Sequence, residues 1–331
     1  MISSVYAAVA RRRRQYYAAR PDLQRRLSRP VISIGNLALG GRAKTPLAAV
    51  VASRLLQLGE RPSILSRGYA RRDAADGVVV VRDPIGIRAD LDRAGDEPLM
   101  LARDLDGVAV LASSSRYLAG RLAEHHFGCS VHVLDDGFQH FALGRDADLV
   151  AIAADDLERP LTLPAGRLRE PLDAAATADA FIAVDALDRA KLDALAQGRP
   201  VWHARRRLGA ARLAEPSGTP PSGCSGPIVA VAGIASPPRF FADLRSGGWT
   251  IAREMPYRDH HRYSRRDLHE IVDTARSTGA RAVVTTEKDL VRLLPFRPFP
   301  IPVAFVPLEL ELTAPGTLDT WLAATLEGAR Q

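Results

Sequence analysis

Pro30-Val-Ile-Ser-Ile34, followed by Gly35-Asn-Leu-Ala-Leu-Gly-Gly-Arg-Ala-Lys-Thr45, is the stretch on which the fold turns. A short β-rich run enters a glycine-containing loop. Pro46–Leu58 then reads as a helix, with proline early, where helix starts accept it. A helix N-terminus after a strand offers free N–H groups and the positive end of the helix dipole, which suit a phosphate. Lys44 in such a loop reaches the β- and γ-phosphates, and the Thr45 hydroxyl ligates Mg²⁺. The plain G-x-x-x-x-G-K-[ST] pattern is not met, because Ala38 and Ala43 occupy its glycine positions. Taken alone, the loop also reads as a tight turn without a ligand.

Working outward, strand signals follow at Pro62–Leu65, Gly77–Val81, Val108–Leu111, Ser130–Leu134 and Asp148–Ala151, with helices at Glu97–Asp104 and Tyr117–Phe127. This alternation predicts a βαβ series and a mostly parallel sheet. Strands return at Ala180–Val184 and Val201–Ala204, before a Pro/Gly/Ser-rich stretch over 215–227. A second α/β pattern begins at Ile228–Ala232. It continues through helices near Pro238–Ser246 and Arg265–Thr278, strands at Ala282–Thr285 and Val303–Val306, and a helical tail at Thr317–Ala329. The expectation is an α/β protein of two domains. Residues 1–29 form a basic helical segment, 30–205 a larger domain, 206–227 a linker and 228–331 a smaller α/β domain.

The 331 residues are 47% hydrophobic and 25% charged, which excludes disordered, collagenous and coiled-coil classes. Two cysteines, Cys129 and Cys224, supply neither a disulfide framework nor a Cys-rich zinc site. No apolar run reaches the length of a membrane span. The short apolar stretch Val5–Ala10 precedes its arginines, the reverse of a secretory signal, so the expectation is a cytoplasmic, unprocessed chain. Residues 1–29 hold eight arginines and one acid, Asp22, so the whole net charge of +7 sits there and the rest is neutral. That placement argues against a nucleic-acid-coating surface and for one local anionic contact. Ile2, Val5, Tyr6, Val9, Tyr16 and Tyr17 lie among these arginines, and Pro21 is expected to interrupt the helix. The segment reads either as a solvated basic helix or as a helix at an anionic membrane surface.

Three further groups carry chemistry. Leu134-Asp-Asp-Gly-Phe-Gln-His140 follows an apolar strand, where doubly wound folds place acids beside the phosphate loop. Two adjacent acids and a histidine are costly to place together unless an ion or substrate compensates them. Asp96-Glu97-Pro98 and Asp259-His260-His261 each contain a candidate general base, for a hydroxyl attacking phosphorus must lose its proton. The bland alternative for either aspartate is a helix N-cap. The eight histidines show no helical H-x-x-x-H pair with an acidic third ligand, which disfavours a zinc hydrolase.

Together these strings resemble the tetraacyldisaccharide 4′-kinases of lipid A biosynthesis. The resemblance covers nearly the whole chain. It rests on Val31–Asn36 with Gly40-Gly41 and Lys44-Thr45-Pro46, Leu65-Ser-Arg-Gly-Tyr69, Gly95-Asp-Glu-Pro98 and Leu134–His140. It continues through Leu163-Pro-Ala-Gly-Arg-Leu-Arg-Glu-Pro171, Ala232-Gly-Ile234 with Arg239-Phe-Phe241, Asp259-His260 and Thr286-Glu-Lys-Asp289. The resemblance implies a P-loop NTPase-like kinase domain with a mostly parallel sheet, a smaller α/β domain and a flexible linker. It implies transfer of the ATP γ-phosphoryl, with Mg²⁺, to the 4′-hydroxyl of tetraacyldisaccharide 1-phosphate, giving lipid IV(A). It further implies a peripheral enzyme at the cytoplasmic face of the inner membrane, docked through residues 1–29, acting as a monomer on an acylated glucosamine disaccharide, with no nucleic-acid partner.

Residue by residue, the resemblance makes Asp96 the catalytic base and His260, rather than His261, its partner. Ala38, Leu39, Gly40, Gly41, Arg42, Ala43, Lys44 and Thr45 would bind nucleotide. Thr45, Asp135 and Asp136 would hold the metal, with Asp136 the favoured carboxylate. Arg67 and His140 would contact substrate or phosphate. Two positions depart from the family pattern: alanine stands at 43 and at 70 where glycine is usual. A methyl at 43 sits where backbone approaches phosphate and disfavours positive φ. Ala43 therefore motivates an alternative, a lipid-binding relative with a weakened nucleotide site; a P-loop kinase of another amphiphilic sugar is a further one.

Overall fold

The computed structural model of the chain describes residues 2–331 apart from 41–42, 70, 73–76, 216–220 and 222–225. Gly41, Arg42, Ala70 and Cys224 thus lie outside the described residues. The chain forms two compact units, Met1–Arg206 with Leu310–Gln331, and Arg207–Glu309. In the first, α1 (Ile2–Ala18) ends before a 3-10 turn at Pro21–Leu23. The series β1 (Val31–Asn36), α2 (Lys44–Gln57), β2 (Pro62–Ser66), β3 (Val79–Arg82), α3 (Leu91–Ala94), α4 (Asp96–Asp104), β4 (Ala109–Ala112) and α5 (Arg116–Phe127) follows. Then come β5 (Val131–Asp135), β6 (Ala147–Ala153), α6 (Ala154–Glu158), β7 (Ala180–Val184), α7 (Arg189–Ala196) and β8 (Val201–Leu208). The second unit holds β9 (Arg212–Leu213), β10 (Ile228–Ala232), α8 (Pro237–Ser246), β11 (Ile251–Pro256), α9 (Arg265–Ser277), β12 (Ala282–Thr286), α10 (Glu287–Leu293) and β13 (Val303–Val306). The chain closes with β14 (Leu308–Leu312) and α11 (Pro315–Arg330).

The larger sheet has the order β14-β8-β7-β6-β1-β5-β2-β4-β3, parallel from β8 to β4, with β3 antiparallel at one edge. Every residue of β1, β2, β4, β5, β6 and β7 is buried. That is why these strands read as continuous apolar runs rather than alternating ones. Helix α2 covers the sheet with Leu47, Ala48, Val51, Ala52 and Leu55, and each leucine so buried contributes about 1.5–3 kcal/mol. Ala119 and Ala123 of α5 meet Val31, Leu65, Ala109, Leu111 and Leu134 in a second cluster. The smaller sheet runs β11-β10-β12-β13-β9, with β9 antiparallel to β13 and the others parallel.

The expected α/β architecture is present, but the expected domain boundaries change. Strand β8 runs through 206 to Leu208, and β9 lies inside the stretch read as linker. The tail 310–331 belongs to the larger unit, not to a smaller domain over 228–331. Its helix buries Leu318, Leu322 and Leu326, sets Trp321 edge-on to Trp202 with ring centroids 5.5 Å apart and places Asp319 3.3 Å from Arg54 of α2. A leucine stripe shows in the sequence; which sheet it covers does not.

Helix α1 also sorts its residues more finely than its composition. Ser3, Ala7, Ala10, Arg14 and Tyr17, at helical spacing, are half-buried, whereas Ile2, Val5, Val9, Arg12 and Tyr16 are exposed. The inward stripe docks on the segment 162–177. Ala165 N–H donates to Ser3 Oγ, the Thr162 hydroxyl to Ser3 O, and Arg14 to Glu170 and Thr177.

Candidate active site

Strand β1 lies between β5 and β6, so the sequence-consecutive β2 is displaced by one strand. A crevice at the carboxyl ends of such central strands is where α/β sheets bind ligands. The loop after β1 and the turn after β5 are both there, and they touch. Gly35 permits it: a Cβ at this position would come within 2.4 Å of Phe138 Cβ and 2.8 Å of its backbone nitrogen. Gly137 N–H donates to Ile34 O, closing the turn onto β1.

The phosphate loop is clamped from the outside. Leu39 N–H donates to Arg167 O and Arg169 N–H to Leu37 O, each at 2.7 Å, so residues 37–39 pair with 167–169. Ala38 is buried and Leu39 exposed; Gly40 takes φ 92°. Ala43 caps α2 at φ 60° and ψ 15°, in the left-handed region, with no side-chain cap. The expected conflict is therefore real and is met by strain rather than by a different turn, because the loop must still deliver Lys44 and Thr45 to the helix start.

Asp136 also takes a positive φ, 54°, which aspartate tolerates. This aims its carboxylate at cations. Arg169 donates from Nη1 to Oδ2 at 2.9 Å and from Nη2 to Oδ1 at 2.6 Å, while Lys44 Nζ sits 2.9 Å from Oδ1. Arg169 Nη2 also donates to Asn36 Oδ1 at 2.8 Å. Burial works to raise the Asp136 pKa, but Arg169 and Lys44 overcome it and hold the carboxyl well below the usual range.

Its neighbour Asp135 is the opposite case. It is buried at the end of β5 and accepts a 3.3 Å bond from Ser66 Oγ. Burial, with the charges of Glu97 and Asp136 behind it, pushes its pKa up to about 7 against the pull of Lys44 and Ser66. Thr45, in the first turn of α2, is buried too.

Asp96 is buried, and it is not the N-cap of α4; that position is Gly95, at φ 83°. A Cβ on Gly95 would meet Tyr69 O at 2.6 Å, so the Arg67-Gly-Tyr69 turn and the Gly95-Asp-Glu97 turn lie back to back. Asp96 Oδ1 accepts from Glu97 N–H at 2.9 Å. His140 is half-buried, and its pKa falls to about 4 through burial and the field of Arg116, Arg145, Arg13 and Arg67. Its ring is neutral at physiological pH.

His260 lies in the smaller unit, and the structure separates it from His261. His261 Nε2 lies 3.2 Å from Asp267, and its ring stacks on Tyr257 at 4.6 Å. His260 takes φ 57°, its N–H reaching Gly233 O, and its Nε2 is 3.2 Å from Lys288 Nζ. The same Nε2 lies 3.8 Å from Asp259 Oδ1. Asp259 is not a helix cap either, since Ser264 caps α9.

The sequence reading gave no role to Arg169, Glu170, Gln139 or Lys288. All four stand in the strings that carry the resemblance, but nothing in a linear string pairs position 169 with 136. Gln139 Nε2 bridges Asn36 O at 3.0 Å and Glu170 Oε2 at 3.1 Å, joining the three segments.

The sequence model of the family described as tetraacyldisaccharide-1-P 4′-kinase (LpxK) matches residues 1–327. A tetraacyldisaccharide 4′-kinase of Geobacter sulfurreducens is 37% identical over 331 residues, covering 98% of this chain and 92% of that one. Another, of Koribacter versatilis, is 39% identical over 277 residues, covering 82% and 80%. The crystal structure of the "apo" form of LpxK from Aquifex aeolicus in complex with ATP superposes with a TM-score of 0.81 at 28% identity, over 98% of this chain and 97% of that one.

Proposed function

The chain belongs to the tetraacyldisaccharide-1-P 4′-kinase family, and we propose that its larger unit performs that family's phosphoryl transfer from ATP to the 4′-hydroxyl of the acylated disaccharide 1-phosphate. The observation that carries the residue-level reading is the meeting of Lys44, Asp135 and Asp136 at the carboxyl ends of β1 and β5, on a loop clamped by 167–169.

Phosphoryl transfer is mainly positioning and charge stabilisation. The α2 N-terminus, which opens at Lys44, offers backbone N–H groups to the nucleotide phosphates, and Lys44 adds its charge. Asp136 fixes Lys44 and Arg169 so that neither side chain has to be ordered when nucleotide arrives. Asp96 accepts the proton of the attacking hydroxyl, and His260 assists it in that role. Arg67 and His140 contact the acceptor, His140 as a neutral hydrogen-bonding ring.

The donor set fits Mg²⁺, with one change of assignment. Both Asp136 oxygens are already engaged by cations. Asp135, whose buried carboxyl has its pKa raised to about 7, is the carboxylate that a divalent charge would stabilise, with the Thr45 hydroxyl as its companion. Mg²⁺ bound there supplies charge to the transferring phosphates.

The outer face of α1 supports docking on an anionic bilayer. Ile2 is 72% exposed, Val5 60% and Val9 62%, with Arg12 and Tyr16 on the same side. Among the described residues no helix is long and apolar enough to cross a membrane. The enzyme works at the cytoplasmic surface of the inner membrane, as a monomer. The deciding experiment incubates purified protein with Mg²⁺-ATP and tetraacyldisaccharide 1-phosphate. A product heavier by one phosphoryl group, with the added phosphate at the 4′ position, is expected; unchanged acceptor would reject the assignment.

A further inference from the structure

Helix α1 carries a charge pair that a surface helix does not need. The side chains of Arg14 and Glu170 are only 12% and 4% exposed. The neighbouring pair, Arg11 with Asp173 at 2.8 Å, is half exposed or more on both sides and would hold the helix on the segment 162–177 without desolvation. Taking a guanidinium and a carboxylate out of water costs free energy that is recovered only when the geometry is excellent and the remaining donors are satisfied. Both conditions hold. Arg14 makes two parallel bonds to Glu170, Nε to Oε1 at 3.0 Å and Nη2 to Oε2 at 2.6 Å, and its Nη1 donates to the Thr177 hydroxyl at 2.8 Å.

From this pair an unbroken series of bonds reaches the phosphate site. Glu170 Oε2 also accepts from Gln139 Nε2 at 3.1 Å, and the same nitrogen donates to Asn36 O at 3.0 Å. Asn36 Oδ1 accepts from Arg169 Nη2, and Arg169 grips Asp136, which pairs with Lys44. A second path is shorter. The Arg14 guanidinium lies 4.2 Å over the ring of Phe138, which sits on the same turn as Asp136, packed against Gly35 of β1. Glu170 directly follows Arg169, whose backbone N–H donates to Leu37 O, so the position of its carboxylate is tied to the strand that clamps the phosphate loop. Buried polar networks of this kind hold one geometry as a unit.

We propose that Arg14 is a positioning residue for the phosphoryl transfer: through Glu170 and Phe138, the inner face of α1 holds Arg169 and Asp136, and with them Lys44, in the arrangement that receives nucleotide. The proposal rests on the kinase reading above. It gives α1 a role that its outer, exposed face does not supply, and it leaves the phosphate site incomplete when the helix is not seated.

The test measures kcat on detergent-dispersed acceptor, where docking on a bilayer plays no part, and the Kd for ATP by equilibrium binding without acceptor. Wild type, Arg14→Gln, Glu170→Gln and the double variant are compared at a temperature where each is folded by circular dichroism. Leu326→Ala, which opens a cavity under α11, is the destabilised control. Arg14→Gln is expected to lower kcat by about tenfold, inside the roughly 10²-fold that a 1 Å misplacement can cost, and to raise the ATP Kd by at least about threefold. The KM for acceptor is expected to stay in place. The double variant should fall no further than the worse single one, because the two residues act as a pair. Arg14→Lys keeps a charge beside Glu170 without the fork; it carries the comparison if Arg14→Gln does not fold, with kcat expected to drop at least about threefold. A kcat and an ATP Kd that match those of Leu326→Ala would reduce Arg14 to a structural anchor and overturn the proposal. So would additive losses in the double variant, or a raised acceptor KM as the sole change, which would make Arg14 an acceptor contact. No turnover of acceptor by wild type would remove the kinase reading, while the ATP Kd values would still decide the positioning role.

Discussion

Arg14 Nη2 and Glu170 Oε2 lie 2.6 Å apart, both side chains largely buried, one residue along the chain from the Arg169 that grips Asp136. Arg14 Nε reaches Glu170 Oε1 at 3.0 Å, and its guanidinium stacks 4.2 Å over the Phe138 ring. The arginine run is therefore divided. Arg14 is an internal anchor between α1 and the clamp, whereas Arg12 faces outward.

Arg14→Gln is expected to lower stability by about 3 kcal/mol, the cost of leaving a buried carboxylate unpaired. Arg12→Gln is expected to leave the denaturation midpoint in place. Sedimentation with anionic vesicles should show the reverse order, Arg12→Gln weakening binding and salt weakening it further. If Arg14→Gln unfolds at the wild-type midpoint, the anchor has no energetic role.

Asp96→Ala is expected to lower kcat by at least about 10²-fold, the scale of a lost general base. His260→Ala should also lower it, and the double variant should fall little below Asp96→Ala, since the pair acts as one unit. Additive losses would mean that the two residues work separately.

The two adjacent aspartates should separate in a Mg²⁺ titration. Asp135→Asn is expected to raise the Mg²⁺ concentration needed for half-maximal rate. Asp136→Asn should instead raise the KM for ATP by freeing Lys44 and Arg169. The opposite pattern would restore Asp136 as the metal carboxylate.

Ala43→Gly relieves a left-handed alanine, at φ 60°, whose strain is of order 1 kcal/mol. Thermal denaturation is expected to shift upward, with kcat/KM for ATP equal or higher. A lower Tm would show that the loop has adapted to the methyl.

His140, with its pKa lowered to about 4, binds its proton more weakly in the folded chain than in the unfolded one, where histidine keeps its ordinary value of about 6.5. Its contribution to stability is complete above pH 6.5 and is lost as pH falls towards 4. The urea midpoint of wild type should drop over that window more than that of His140→Gln; parallel curves would show that the ring is not held neutral.

The parallel sheet was legible because buried strands of a βαβ series must be apolar along their whole length, as Val131–Leu134 and Ala180–Val184 are. The acids were legible as well, since Asp135 and Asp136 after a strand have few inexpensive environments. A linear string identifies which groups are chemically unusual, here Lys44 and the acidic pair, whereas only the resemblance singled out Asp96 and chose His260 over His261. What it cannot give is pairing. Arg169 meeting Asp136, Arg14 meeting Glu170 and α11 returning to the first sheet depend on segments 33 to 156 residues apart, or on opposite ends of the chain. Chemically equal neighbours likewise became different only in three dimensions. Asp136 is engaged by two cations while Asp135 is buried against negative field, and His261 is committed to Asp267 while His260 faces Lys288. Composition and order set the kinds of groups available and the α/β plan; burial and the direction of each side chain decided which carboxylate meets cations, which partner each histidine meets and which arginine is internal.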